Sequence, residues 1–126
     1  LDGGHNPHAA RALAAAARTL QARDGRPVTI IVGLLARKDA AGIFAELKAV
    51  DARLIVTGFA SELAASPEAL AQAAAGQGFA VTSCGTVSAA LARALDGPGP
   101  APHVIICGSL YLAGEVLAMS PDTWPT

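Results

Sequence analysis

Apolar residues recur at helical spacing along the chain, and short continuously apolar runs separate those stretches. Ala10, Leu13, Ala14, Ala17 and Leu20 mark one face of a helix that Asp24-Gly25 ends. Val28-Thr29-Ile30-Ile31-Val32 is a β-branched run closed by Gly33, the pattern of a buried strand. Asp39 caps a second helix with Ile43, Phe44, Leu47 and Val50 on its inner face, and Leu54-Ile55-Val56-Thr57 is the next strand, stopped by Gly58. Ser66-Pro67-Glu68 supplies an N-cap, a first-turn proline and a first-turn acid to a short Ala-rich helix that Gly76 and Gly78 terminate. Phe79-Ala80-Val81-Thr82 is strand-like, and Gly85-Thr86 leads into a helix bearing Val87, Ala90, Leu91, Ala94 and Leu95. Gly97-Pro98-Gly99-Pro100 can be neither helix nor central strand. His103 to Cys107 forms the last strand, and Gly108-Ser109 turns it into a final helix from about Leu110 to Ala118, ended by Ser120-Pro121. Leu1-Asp2 reads as the last step of an earlier strand, so the sequence is expected to be a fragment of a longer protein.

Strand–helix alternation without a hairpin signal, with strands apolar on both faces, calls for a parallel sheet covered by helices. The predicted fold is α/β: a three-layer αβα Rossmann-like domain with a mostly parallel sheet, without repeat or second domain. A length of 126 residues fits one such domain. The hydrophobic fraction is 52% but much of it is alanine, and aromatics are only 4%, which favours helices packed closely on the sheet. A net charge of −1 leaves no basic field for nucleic acid or an anionic membrane. No apolar run approaches the roughly 18 residues that span a bilayer, and no signal-peptide pattern is present. Cys84 and Cys107 each follow an apolar run without a metal-ligand spacing, which points to buried thiols and a cytoplasmic setting.

In open parallel sheets, ligands bind outside the carboxyl ends of the strands. Four polar, glycine-containing turns fall at such ends: Asp2 to Asn6, Gly33 to Asp39, Thr57 to Glu62, and Gly108-Ser109. The first gathers a carboxylate, an imidazole and a carboxamide at a helix start, where unpaired N–H groups and the helix dipole favour anions. Asn6 suits the N-cap and Pro7 the first helical position. Asp2 reads either as a carboxylate accepting ribose hydroxyls or as a solvated turn residue. His5 reads more simply as a turn histidine, and a metal held by Asp2, His5 and His8 is the minor alternative. Lys38 suits an anionic substrate group or plain solvation beside the capping Asp39, and Ser109 suits a helix cap or a carboxylate binder. Neither a dinucleotide fingerprint nor a phosphate-cradling loop occurs, so the triphosphate cradle is not carried by these residues.

Asp2-Gly3-Gly4-His5-Asn6-Pro7-His8-Ala9 resembles the D-G-A-H-N-P-x-A signature of folylpolyglutamate synthases and dihydrofolate synthases. Val32-Gly33-Leu34-Leu35-Ala36-Arg37-Lys38-Asp39 is similar to the family's G-x-L-x-D-K-D stretch, and Cys107 to Val116 to its G-S-L-Y-L-x-G-E-V helix start. The resemblance spans essentially the whole chain. It implies that residues 1–126 are the C-terminal domain of a Mur-ligase-type enzyme whose N-terminal and central ATPase domains lie elsewhere. Such an enzyme phosphorylates a carboxylate of dihydropteroate or folate with ATP and Mg2+, and L-glutamate then attacks the acyl phosphate. The magnesium ligands would not belong to this chain, which alone would be inactive, and the parent would be a cytoplasmic monomer. By position, the resemblance places Asp2, His5 and Asn6 at ATP, and Ser109, His5 and Lys38 at glutamate, with no residue of the chain in a catalytic role. Gly4 replaces the usual alanine, and Arg37 the usual acid before Lys38-Asp39. A non-catalytic Rossmann-like binding module, or the C-terminal domain of a sister Mur-type amino-acid ligase, remains as the alternative.

Overall fold

The β-branched runs set the centre of the molecule, because strands apolar on both faces must be covered on both faces. The computed structural model describes residues 6–97 and 99–108. The Leu1-Asp2 strand end, Ser109 and the helix expected from about Leu110 lie outside the described residues. The elements run α1 (Pro7–Asp24), β1 (Val28–Gly33), α2 (Ala40–Leu47), β2 (Ala52–Thr57), α3 (Pro67–Gly76), β3 (Val81–Cys84), α4 (Val87–Leu95) and β4 (His103–Gly108). The strands form one parallel sheet in the order β3-β2-β1-β4, with Ile31 opposite both Ile55 and Ile106. This is the α/β Rossmann-like layering the sequence predicts.

Alternation along the strands divides the core into two halves. Ile30, Val32, Leu54, Val56 and Cys107 pack with Ala10, Leu13, Ile43, Phe44, Leu47 and Leu70 beneath α1, α2 and α3. Ile31, Ile55, Cys84 and Ile106 pack with Val87, Ala90 and Ala94 of α4 on the opposite face. Cys84 and Cys107 are buried and not disulfide-bonded, as expected of thiols that follow strands. Small residues carry the helix contacts: Ala10, Ala14 and Ala17 of α1 are at most 2% exposed, which lets the helix axis approach closely.

Each helix begins on a side-chain cap. Asn6, Asp39, Ser66 and Thr86 accept hydrogen bonds from the backbone N–H groups of Ala9, Gly42, Ala69 and Ala89. α1 ends at Gly25, whose left-handed φ of 68° lets its N–H reach the carbonyl of Gln21. α1 and α2 lie side by side in the same direction, joined by Arg11 and Glu46 in a two-pronged ion pair at 3.0–3.1 Å.

Three details differ from the sequence expectation. β3 begins at Val81 rather than Phe79, because Phe79 belongs to the end of α3. Its N–H bonds the carbonyl of Ala74 while that of Gly78 bonds Ala75, a Schellman closure whose apolar residue packs inward. There Phe79 meets the ring of Phe44 edge-on at 6.2 Å and lies under the Lys48 ammonium. Regular α2 stops at Leu47, and Val50 reaches the core from the following turn. Leu95, one of the apolar residues that mark the helix after Gly85-Thr86, is 67% exposed at the end of α4.

Candidate functional site

The chain winds from β1 outward to β2 and β3, then crosses back to place β4 on the other side of β1. α2 and α3 cover one face of the sheet and α4 the other, so the winding reverses between β1 and β4. Loops leaving the two strands on either side of such a reversal diverge and open a crevice at their carboxyl ends. Here Gly33 and Gly108, register partners at the two strand ends, would be the floor of such a crevice. Gly108 has φ of +129°, a backbone state that side chains rarely adopt, and a Cβ on it would collide with the carbonyl oxygen of Gly33. The two strand ends therefore meet backbone to backbone, and β1 and β4 present main chain where a ligand would approach.

The walls are the starts of α1 and α2. Gly42 is the contact between them: a Cβ there would lie 2.9 Å from the Pro7 ring and would collide with the Asp39 carboxylate. The Asn6-Pro7 turn and the Lys38-Asp39 turn, 32 positions apart from Asn6 to Lys38, are thereby brought to one place. Asn6 accepts from the Ala9 N–H at 2.8 Å and Asp39 from the Gly42 N–H at 3.0 Å, so both polar side chains hold helix starts. Lys38 is half-buried and its backbone is fixed on both sides, its N–H on the carbonyl of Leu35 and its own carbonyl on the N–H of Ala40. Among the described residues its ammonium joins no ion pair, while the two positive helix ends beside it favour anionic groups.

A further wall was not legible in the sequence. The loop after β1 pairs with the loop after β2 through an isolated antiparallel bridge between Leu35 and Ala64. Ala36 N–H donates to Leu63 and Ala65 N–H to Leu34, each at 2.8 Å. Two of the four predicted rim turns are thus one braced structure, and Leu63 stands 64% exposed on it. At the end of β2 the Thr57 hydroxyl is fully buried and donates to the carbonyl of Gly58 at 2.7 Å. Of the other predicted site residues, Asp2, His5 and Ser109 lie outside the described residues. The only sequence signal for the close approach was glycine inside the first turn of α2, where a better helix former would be expected.

The carboxylates with shifted titration lie away from this crevice. Glu46 is held below its usual range by the hydrogen bond and charge of Arg11. Asp24 is held down first by the hydrogen bond from His103 and then by the N–H of Arg26, at the amino edge of the sheet. Among the described residues, no three His, Cys, Asp or Glu side chains converge to hold a metal ion. No helix of the described residues is long and apolar enough to cross a membrane.

The sequence model for the Mur ligase glutamate ligase domain matches residues 1–110. The chain belongs to this family. Solved structures agree with the domain's fold. E. coli FolC in complex with ADP shares 26% identity and a TM-score of 0.80, over 96% of this chain and 28% of its own. The Mycobacterium tuberculosis folylpolyglutamate synthase complexed with ADP and AMPPCP shares 28% identity at a TM-score of 0.77, covering 100% of this chain and 30% of its own. The Yersinia pestis bifunctional folylpolyglutamate synthase/dihydrofolate synthase complexed with AMPPNP and Mn shares 28% identity at a TM-score of 0.78, over 94% and 27%. This Mur ligase domain thus spans less than a third of the length of these relatives. Comparison with curated proteins gives no match. The comparisons favour neither a free-standing binding module nor a sister ligase.

Proposed function

We propose that residues 1–126 are the C-terminal domain of an ATP-dependent ligase that joins L-glutamate to dihydropteroate or a folate. The N-terminal and central domains would lie outside this sequence. One observation carries the reading beyond the family: the packing of Gly42 on Pro7 and Asp39, which sets the Asn6 and Lys38 turns side by side at the β1–β4 crevice. That crevice suits an anionic nucleotide, because it offers a side-chain-free floor, the two positive helix ends and a lysine.

ATP and Mg2+ would supply the phosphoryl group that activates the acceptor carboxylate, from a site mainly on the absent domains. No magnesium ligand is assigned to this chain, and none of its residues is given a catalytic role. Its own residues bind and orient. Asn6 keeps the start of α1 fixed, so that Asp2 and His5 immediately before it can meet the nucleotide, Asp2 at the ribose. Lys38 supplies positive charge for a glutamate carboxylate, with His5 at the junction and Ser109 donating to the same ligand. Closure of the domain over the acceptor would exclude water from the acyl phosphate and align the glutamate amine for attack. The parent is taken to be a cytoplasmic monomer.

The test is turnover by the full-length enzyme with dihydropteroate and with reduced folates, each with ATP and L-glutamate. Glutamate-dependent ADP release with either acceptor is expected. Its absence with both, alongside ligation of another acceptor, would overturn the folate assignment and leave the family membership intact. Within that enzyme, Lys38→Ala and Ser109→Ala should raise KM for glutamate, and Asp2→Ala that for ATP.

A further inference from the structure

A second concavity lies at the opposite, amino edge of the sheet, remote from the β1–β4 crevice. It measures about 680 Å3 and is framed by the starts of β1 and β2, the end of α4 and the loop that enters β4. That size is ordinary for a small-molecule site, but the amino edge is not where doubly wound folds bind their ligands. Its polar groups carry both signs of charge.

Thr29 and Arg53 are register partners on adjacent strands, so their side chains share the α4 face of the sheet, and both line the cleft. Thr29 is only 3% exposed, yet its hydroxyl makes no hydrogen bond to another described residue. A hydroxyl at such depth without a partner among the described residues is disfavoured, so it suits a ligand entering from the cleft. Arg53 is oriented by one terminal N–H, which donates to the carbonyl of Arg93 at 2.9 Å. Its other N–H groups have no partner among the described residues and retain the forked geometry that suits a carboxylate. The other set is negative: Asp51 and Asp96 line the cleft, while the end of α4 is already met by the Arg53 N–H.

We propose that this cleft binds a zwitterionic α-amino acid. Its carboxylate would lie on the Arg53 fork and the Thr29 hydroxyl, and its ammonium against Asp96 and Asp51. A simple anion would face two carboxylates. A simple cation would leave Arg53 and Thr29 unsatisfied. A dipolar ligand of amino-acid size meets both sets at once. The inference does not depend on the ligase reading, since none of these residues belongs to the carboxyl-edge site.

The experiment titrates glycine, L-alanine, acetate and methylammonium into the full-length protein, following backbone amide NMR signals. Glycine and alanine should shift Thr29, Arg53 and Leu95 saturably, and acetate and methylammonium should bind at least tenfold more weakly. Arg53→Gln should raise the Kd for glycine at least tenfold. Arg53→Lys, which keeps the charge and loses the fork, should raise it severalfold even if the glutamine variant fails to fold. Thr29→Val should weaken binding without lowering the melting temperature, because it removes an unsatisfied group. Absence of saturable shifts at this edge overturns the proposal. So does acetate binding as tightly as glycine, or glycine affinity that is indifferent to the Arg53 variants.

Discussion

Replacing glycine by alanine within a helix ordinarily stabilises it by about 1 kcal/mol, yet Gly42→Ala should do the reverse. Gly42 sits in the first turn of α2, and an added methyl would lie 2.8 Å from the Asp39 carboxyl carbon and 2.9 Å from the Pro7 ring. Either Asp39 swings away, losing an N-cap worth about 1 kcal/mol, or α1 retreats from α2. Forcing a methyl into such a close-packed contact costs about 1–3 kcal/mol on its own. Set against the propensity gain, the net loss should be about 1–3 kcal/mol. Gly76→Ala is the control, since it lies at the end of α3 with nothing within 4 Å of the added methyl, and it should be neutral or stabilising. Urea denaturation of the 126-residue chain measures both, read as midpoint shifts at constant slope. A Gly42→Ala midpoint at or above the wild-type value would refute the packing that joins the Asn6 and Lys38 turns.

Gly108→Ala should be more severe, because its φ of +129° and the Gly33 carbonyl both exclude a side chain; loss of soluble folded protein is expected, and wild-type stability would contradict the backbone contact of the two strand ends. Phe44→Ala, at 0% exposure and edge-on to Phe79, should cost about 3–5 kcal/mol in the same denaturation assay. Asp24 has its pKa lowered by His103 and by the Arg26 N–H, so its contribution is present above the unfolded carboxylate value and lost as pH falls below about 4. Asp24→Asn should therefore flatten the acid limb of urea midpoints measured between pH 5 and 3, and an unchanged limb would count against the pair.

What was legible in the sequence was local. Asn6, Asp39 and Ser66 announced their helix starts and Gly25 a helix end, because a cap is a short-range hydrogen bond with few competing residue types. Strand burial on both faces was legible in Val28 to Val32 because a parallel sheet tolerates no polar alternation. Phe79 misled, since an apolar residue before a strand and one closing a Schellman turn look alike until the partner Phe44 is known. The Leu35–Ala64 bridge and the amino-edge cleft depend on which loops and strand ends meet in space, and no spacing along the chain encodes that. The candidate site was legible in its turns and in the resemblance, but the meeting of Asn6 with Lys38 rests on a glycine that the resemblance did not single out.

In the proposed function the carboxyl edge between β1 and β4 meets the nucleotide. Hydrogen–deuterium exchange of the full-length protein, with and without a non-hydrolysable ATP analogue, tests it most directly. Slower exchange in the Gly33 to Asp39 turn and at the start of α1 is expected when the analogue is bound. Exchange there that is unchanged at saturating analogue would contradict it.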